Sequence, residues 1–448
     1  MSEAVLVDLF NPTKLHQLVA EILQEIKKQG ATSAEVDVAV NKGFSTMVRM
    51  GDVETVEYNQ DKIIEITVYF GQRSGSASLS DTRPAAIHAA IKAACNIARF
   101  TDEDPYSGLA ERNLLAFNYP PSDLYYPWNI TVPQAIKLGK ECEAIALAKD
   151  KRIVNSEGVS VATIEVWNAY GNSHGFIGIS PVTRHELSAV LIAKDNDEMQ
   201  RDYSYTVACD PTSLDSIQKI ADSAVERTVR RLNARRLPTC NAPVIFAAEE
   251  ARSLMGHFLA AISGGSLYRK SSFLLDHLGK SVFPAFISIH EEPHLSKCIG
   301  SSPFDDDGVT TRENIFVEEG ILKSYSLGVY SARKLKMETT GNAGGVHNLF
   351  ISTSKNDLPA LIKKMHEGLL VTELMGSGAN IVTGDYSRGA AGFWIENGEI
   401  QYPVEEITIA GNLNEMYQNL VEVGNDVDHR GNINTGSILL ENMMIAGD

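Results

Sequence analysis

Cysteine is scarce in this chain of 448 residues, and what there is lies scattered. Cys95, Cys142, Cys209, Cys240 and Cys298 form no CxxC pair and make an odd total. That argues against a disulfide framework or a structural zinc knot and fits a reducing cytoplasm. No apolar run reaches the roughly 18 residues of a membrane span. The opening MSEAVLVDLFNPTK lacks a basic stretch followed by an apolar one, so neither a membrane partner nor an export signal is expected. Positive charge is also short: 40 Lys and Arg face 57 Asp and Glu, a formal charge of −17. Nucleic-acid binding needs a basic surface to displace counterions, so no nucleic-acid partner is expected. The one basic cluster, Arg230 to Arg236, closes a helical pattern, where cations meet the negative end of the helix dipole. There is no GxSxG elbow, since Ser263-Gly264-Gly265-Ser266 has the wrong layout, and no Lys-Ser/Thr follows the glycines of Gly341 to Gly345 as in a phosphate loop.

Hydrophobic residues make up 44% of the chain and charged ones 22%, enough apolar material for real cores. The length suggests two or three domains, and the pattern divides at 1–110, 111–238 and 239–448. Leu15, Leu18, Val19, Ile22, Leu23 and Ile26 follow helical spacing until Gly30 stops them. Strands are expected at 36–40, 44–50, 53–58, 62–70 and 74–80, with Asp37, Glu54, Glu57 and Glu65 facing solvent. A helix follows from Pro84 to Phe100, with Asp81 and Thr82 as cap candidates. Prolines 105, 120, 121 and 127 mark residues 101–128 as a long connection. The helix–strands–helix plan then repeats: a helix over 133–148, broken strands over 153–180, a strand over 185–194 and a helix over 214–233. The last unit opens with a helix over 249–263 and becomes strand-rich, closing with a helix that carries Leu413, Met416, Tyr417, Leu420 and Val421. The fold class is therefore α+β, with helix-on-antiparallel-sheet N-terminal units and a strand-rich C-terminal domain.

Several motifs invite chemistry. His290-Glu291-Glu292-Pro293-His294 spells HExxH, which makes a zinc peptidase when a helix puts both histidines on one face. Pro293 disfavours that helix and the preceding 285–290 alternates like a strand, so a strand end and a turn are expected. Asp305-Asp306-Asp307-Gly308 could chelate a hard cation but lacks the spacing of a calcium loop, so a solvated turn is expected. Ser271, Ser272, Ser301 and Ser302 become nucleophiles only if a histidine and an acid converge on them. After Gly368, seven more glycines punctuate the stretch to 412, and Asn397-Gly398 suits a type I′ turn between the arms of a hairpin over 393–402.

The stretches 261–276, 300–314, 330–335, 339–345 and 384–398, the last reading GDYSRGAAGFWIENG, resemble the TldD/PmbA (TldE) metallopeptidase family, on its PmbA branch. The resemblance implies a cytoplasmic subunit that processes or degrades unfolded peptides together with a TldD-type partner. The TldD branch resembles HExxxH on the first helix of the C-terminal domain, with a Cys-Gly near the C-terminus. Here those positions fall on Met255, Gly256 and Ala260, and on Thr435-Gly436. His257 alone supplies neither a ligand pair nor a base. The implied chain has no catalytic residue and no metal or other cofactor of its own, the zinc sitting in the partner subunit. Candidate peptide contacts, taken from the polar, glycine-flanked stretches, are Ser301, Ser302, Phe304, Asp385, Tyr386 and Arg388. Alone, the surface meant for the partner could pair with itself as a homodimer. Two rival expectations stand beside this one: an autonomous metallopeptidase using His290, Glu291 and His294, and a non-enzymatic regulator of a protein partner such as gyrase.

Overall fold

The computed structural model describes residues 9–447. The opening residues 1–8, where no export signal was expected, lie outside the described residues. The helix–strands–helix plan occurs twice. The first copy runs α1 (Pro12–Lys28), β1 (Ser33–Arg49), β2 (Asp52–Phe70), β3 (Arg73–Leu79) and α2 (Pro84–Phe100); the second runs α3 (Val132–Lys149), β4 (Ile153–Asn172), β5 (Ile177–Asp195), β6 (Glu198–Ala208) and α4 (Ile217–Val229). The copies are fused edge to edge. β1 pairs with β4 from Glu35↔Asn172 to Val48↔Val159, giving one antiparallel sheet in the order β3-β2-β1-β4-β5-β6.

Side-chain alternation decides what each face of this sheet does. Val36, Val38 and Val40 of β1 and Ile64, Ile66 and Val68 of β2 turn to α1 and α2, burying Leu15, Val19, Ile22, Ile26 and Ile91. Val159 and Val161 of β4 and Leu187, Ala189 and Leu191 of β5 turn to α3 and α4. Each such aliphatic side chain contributes about 1.5–3 kcal/mol on full burial. The other face looks toward the C-terminal domain. α1 begins where Asn11 accepts hydrogen bonds from Thr13 N and Lys14 N, and it ends before Gly30 at φ 82°. Arg83, not Asp81 or Thr82, is the N-cap of α2; Asp81 accepts from Arg83 N in the turn before it.

Some strands read as separate pieces are single. β1 spans both expected strands, and β4 runs for 20 residues through a bulge at Ser156/Gly158. The bulge needs Gly158 at φ 134°, a conformation that broke the apparent periodicity.

The C-terminal domain comprises β7 (Cys240–Phe246), α5 (Ala248–Ile262), α6 (Gly264–Tyr268), β8 (Ile289–Glu291), β9 (Asn314–Glu318), β10 (Ile321–Leu322), α7 (Val329–Leu335), β11 (Leu349–Ile351), α8 (Leu358–Met365), β12 (Gly368–Met375), β13 (Asp385–Glu396), β14 (Glu399–Asn412), α9 (Leu413–Gln418), β15 (Leu420–Val423), β16 (Ile433–Asn434) and β17 (Ile438–Ala446). One sheet runs β14-β13-β12-β7-β17-β15, and a further β14–β17 pairing closes five of its strands into a ring; the other runs β10-β9-β8-β11-β16. α5 packs Leu254, Met255 and Phe258 into the core shared by both sheets. The expected closing helix is shorter than its apolar spacing suggested. α9 stops at Gln418, and Leu420 and Val421 belong to β15, whose pairing with β17 overrides local helical periodicity.

Residues 101–128 form a strap over the C-terminal domain. Arg333 on α7 donates to the carbonyls of Tyr106, Gly108 and Leu109 and pairs with Glu111, while Tyr330 donates to Asp104. The Arg230–Arg236 cluster is likewise internal wiring: Arg231 pairs with Asp202 and Glu373, Arg236 with Glu406, and Arg235 lies over Tyr402.

Candidate functional site

Where the open face of the N-terminal sheet meets the C-terminal domain, a chamber of about 580 Å³ remains. Its sheet wall is Asp37 and Ala39 of β1, Ile63 and Glu65 of β2, Asn168 and Tyr170 of β4, and Ser180 and Val182 of β5. The opposite wall is the loop Ser301, Ser302, Phe304, Asp305 and Asp306. Three of the six expected peptide contacts are thus together here. Phe304 is a wall, 9% exposed, with edge contacts to Tyr119 and Phe176 at 5.3 and 5.4 Å between ring centres. It closes on Gly178 of β5, where a Cβ would stand 2.5 Å from its ring. Ser302 Oγ donates to Phe304 O, and Ser301 Oγ donates to Leu295 O while accepting from Asn348 Nδ2, so both hydroxyls shape the loop.

Among the described residues, no Lys or Arg lines this chamber. Asp37, expected in solvent, faces it instead. Burial first, then neighbouring Glu35, Asp306, Glu65 and Asp307, pushes its carboxyl up to about 8. Glu35 behind it is raised by burial although Tyr69 and Tyr170 both donate to its carboxylate. The expected solvated turn at Asp305–Asp307 is also folded inward. Asp305 is buried and accepts from the backbone N–H groups of Asp307, Val309 and Ala343. Burial and then Asp307 still raise it to about 7. Asp307 accepts from Val329 N at the start of α7, and burial raises it as well. Local spacing could not show the burial, because beside the local donors of Asp307 and Val309 the covering ones come from residues 329 and 343.

The HEEPH segment is strand and turn. His290 lies on β8, bonds Glu292 at 3.1 Å and stacks on Phe350. His294 bonds Thr311 Oγ1 at 2.9 Å. Glu291, fully buried, accepts from Asn314 Nδ2, Asn342 Nδ2 and His347 N and so ties β8 to β9 and the 339–347 loop.

The other three expected contacts lie on β13 and divide again. Asp385 is exposed and accepts from Thr383 Oγ1. Tyr386 is 2% exposed, packed against Phe246 and His257, and burial pushes its phenol up to about 12 while Arg388 pulls it down. Arg388 donates to Ser253 Oγ on α5 at 2.7 Å. The polar face of α5 adds residues that sequence reasoning passed over. Glu250 is raised to about 7 by burial and Glu249, against the pull of Arg388. Its neighbour Glu249 is held low: burial opposes ionisation, but Arg227 and Arg430 outweigh it. His257 is kept neutral by burial and by Arg388. The available signal was the helical spacing of 250, 253 and 257 along one face.

The architecture defines an α+β scaffold in which a half-covered sheet closes a chamber against a barrel-like domain. Family models match along its length: PmbA/TldA metallopeptidase domain 1 over residues 34–98, the central domain over 125–232 and the C-terminal domain over 239–447. Metalloprotease PmbA of Escherichia coli O157:H7 is 48% identical over 423 residues, 94% of either chain. A candidate modulator of a DNA gyrase from Bacteroides thetaiotaomicron has the same fold, with a TM-score of 0.92 at 26% identity, covering 98% of this chain and 100% of that one. TldE from Thermococcus kodakarensis shares the fold at a TM-score of 0.81 and 21% identity, covering 96% and 100%. The chain belongs to the PmbA/TldD metallopeptidase family, and a peptidase role is supported.

The family name implies a metal, and the positions of the resemblance do not fit one held on α5. Met255 is fully buried in the core, while Gly256 and Ala260 offer no donor atom. Thr435 Oγ1 bonds the carbonyl of Gly436. Among the described residues, no three His, Cys, Asp or Glu side chains group so as to hold a metal ion. No helix among them is long and apolar enough to cross a membrane.

Proposed function

We propose that this chain is the TldE-type subunit of a cytoplasmic heteromeric peptidase, holding unfolded peptides while a TldD-type chain supplies the zinc. The observation that carries the reading is α5: the helix to which the resemblance assigns a ligand pair and a base has Met255, Gly256 and Ala260 at those positions. The chamber supports the second half of the reading. Its walls are strand faces and a polar loop, with Ser301, Ser302 and Phe304 on one side. Strand-like main chain accepts an extended peptide through backbone hydrogen bonds, which tolerates many sequences. A lysine, arginine or free amino terminus entering this lining would draw out the ionised forms of Asp37 and Asp305, which burial otherwise raises to about 8 and about 7, so such peptides are favoured. Between subunits, a stable contact needs at least roughly 1,000 Å² of buried surface, and the same patch could pair two copies of this chain when it is alone.

The test is a peptidase assay of this chain alone, a TldD-type partner alone, and the two mixed, with elemental analysis of each. The mixture should form a complex and cleave unfolded peptides faster than the partner alone, and this chain should purify without stoichiometric zinc. About one tightly held zinc per chain, or chelator-sensitive cleavage by this chain alone, would replace this reading with an autonomous metallopeptidase. A partner equally active without this chain, with no complex at micromolar concentration, would replace it with a regulator.

A further inference from the structure

The face of α5 that turns from the core meets β13 in an unusual way. Three side-chain polar atoms there are buried without a hydrogen-bond partner among the described residues: His257 Nε2, Tyr386 Oη and Arg388 Nε. They belong to one cluster. The His257 and Tyr386 rings meet edge to face at 5.9 Å between centres; the Arg388 guanidinium acts on both and approaches the Tyr386 hydroxyl as its nearest side-chain partner, short of a well-aligned hydrogen bond. A buried polar atom without a partner costs about 1–3 kcal/mol, and native structures carry few of them. Three in contact mark a place prepared for a group that is not part of the chain.

The chemistry of the three atoms narrows that group. An arginine Nε–H can only donate; a phenol and a neutral imidazole can each donate one hydrogen. Three donors around a fixed positive charge suit a negatively charged oxygen, and a guanidinium fork matches a carboxylate best. Arg388 is already aimed, since its Nη1 donates to Ser253 Oγ on α5. One position before His257 the helix surface is open: a Cβ on Gly256 would meet no described atom within 4 Å. The surrounding acids do not neutralise the site. Glu249 is matched by Arg227 and Arg430, Glu373 by Arg231, and Glu250, raised by burial to about 7, carries only part of its charge near neutral pH.

Resting on the reading that this chain holds unfolded peptides, we propose that His257, Tyr386 and Arg388 form a subsite for a peptide carboxylate. Two sources share that chemistry, the free C-terminus and an acidic side chain. The end of a peptide supplies a carboxylate whatever the sequence, so the C-terminus suits a holder of varied chains.

The experiment measures binding of labelled unfolded peptides to the full chain by fluorescence anisotropy. One peptide lacks Asp and Glu and has a free C-terminus, the second is the same peptide amidated, and the third is amidated with one internal Glu. The free carboxylate should bind about tenfold tighter than the amide, a difference of about 1.4 kcal/mol. Arg388→Gln should erase the preference, and Arg388→Lys, which keeps the charge without the fork, should restore part of it. Tight binding of the third peptide, lost in Arg388→Gln, would support the subsite and assign it to acidic side chains. Should Arg388→Gln melt too early to assay, Tyr386→Phe, which removes only the unpaired hydroxyl, should lower the preference a few-fold. Equal binding of all three peptides, or a preference untouched in the variants, overturns the subsite and leaves the peptide-holding reading standing. Failure of every peptide to bind overturns both.

Discussion

Glu291 and Tyr386 sit in the same domain, 0% and 2% exposed, yet their polar atoms are treated in opposite ways. Glu291 belongs to a string that spells a zinc motif, and its carboxylate is filled by two asparagine amides and a backbone N–H. Tyr386 belongs to a glycine-rich stretch with no such spelling, and its hydroxyl is left unfilled beside two more unfilled atoms. A saturated buried acid is part of the framework; an unsaturated cluster is held open for something else. In this chain hydrogen-bond satisfaction points away from the motif and toward the cluster proposed as a subsite.

The comparison breaks most visibly at Glu291. Glu291→Ala would leave His347 N without its acceptor and take the charged acceptor from Asn314 Nδ2 and Asn342 Nδ2, which keep Thr340 O and Gly345 O, so unfolding in denaturant should show a loss on the order of 3 kcal/mol. Lost peptidase activity of the mixed subunits with unchanged stability would reverse the assignment and make Glu291 a functional base.

The chamber acids test the same idea with protons. Asp37 rises from 3.8 to about 8 on folding, so its contribution to stability is full below about pH 4 and fades as pH climbs toward 8. Asp37→Asn should therefore gain on the order of 2 kcal/mol over wild type at pH 8, with the gap closing toward pH 4. Histidines held low by burial, such as His185 and His257, act in the opposite sense but are common to both proteins and cancel in the difference. A gap that does not change with pH would mean that Asp37 is not the strained acid.

The smallest effect is the sharpest discriminator. Tyr417, equally buried, donates to Leu254 O at 2.9 Å, so Tyr417→Phe should cost about 1 kcal/mol. Tyr386→Phe should cost less than that or nothing, because its hydroxyl makes no well-aligned hydrogen bond and has only the approach of Arg388 to lose. Equal losses in parallel thermal melts would show that Tyr386 is satisfied in solution.

Legibility in the sequence followed the range of the interactions. α1 was readable because Leu15, Val19, Ile22 and Ile26 are buried by one helix face with its own caps. The hairpin turn was readable because Asn397 and Gly398 both adopt positive φ, 55° and 73°, which few residue pairs accept. Leu420 and Val421 misled because their strand partner lies about twenty residues on, in β17. Asp37 and Asp305 misled because a charged residue on an alternating strand or beside a glycine normally faces water, and only the packing of two domains takes the water away. The candidate contacts were chosen as one set, and the fold separates them into Ser301, Ser302 and Phe304 at the chamber, Tyr386 and Arg388 at α5, and Asp385 at neither. His257 and Glu250 matter through neighbours on β13 some 130 residues away, which spacing along α5 alone cannot supply.

The missing atom at Gly178 acts as a gauge. Phe304 rests where a methyl group on residue 178 would have to be, so the gap between the sheet and the C-terminal domain is set at zero spacer thickness. Gly178→Ala would work like a shim driven under one corner of a clamped joint. The aromatic stack of Tyr119, Phe176 and Phe304 would have to tilt, and the two walls of the chamber would lose their parallel setting. The fit of this corner of the N-terminal sheet against the C-terminal domain thus has a tolerance of one carbon atom.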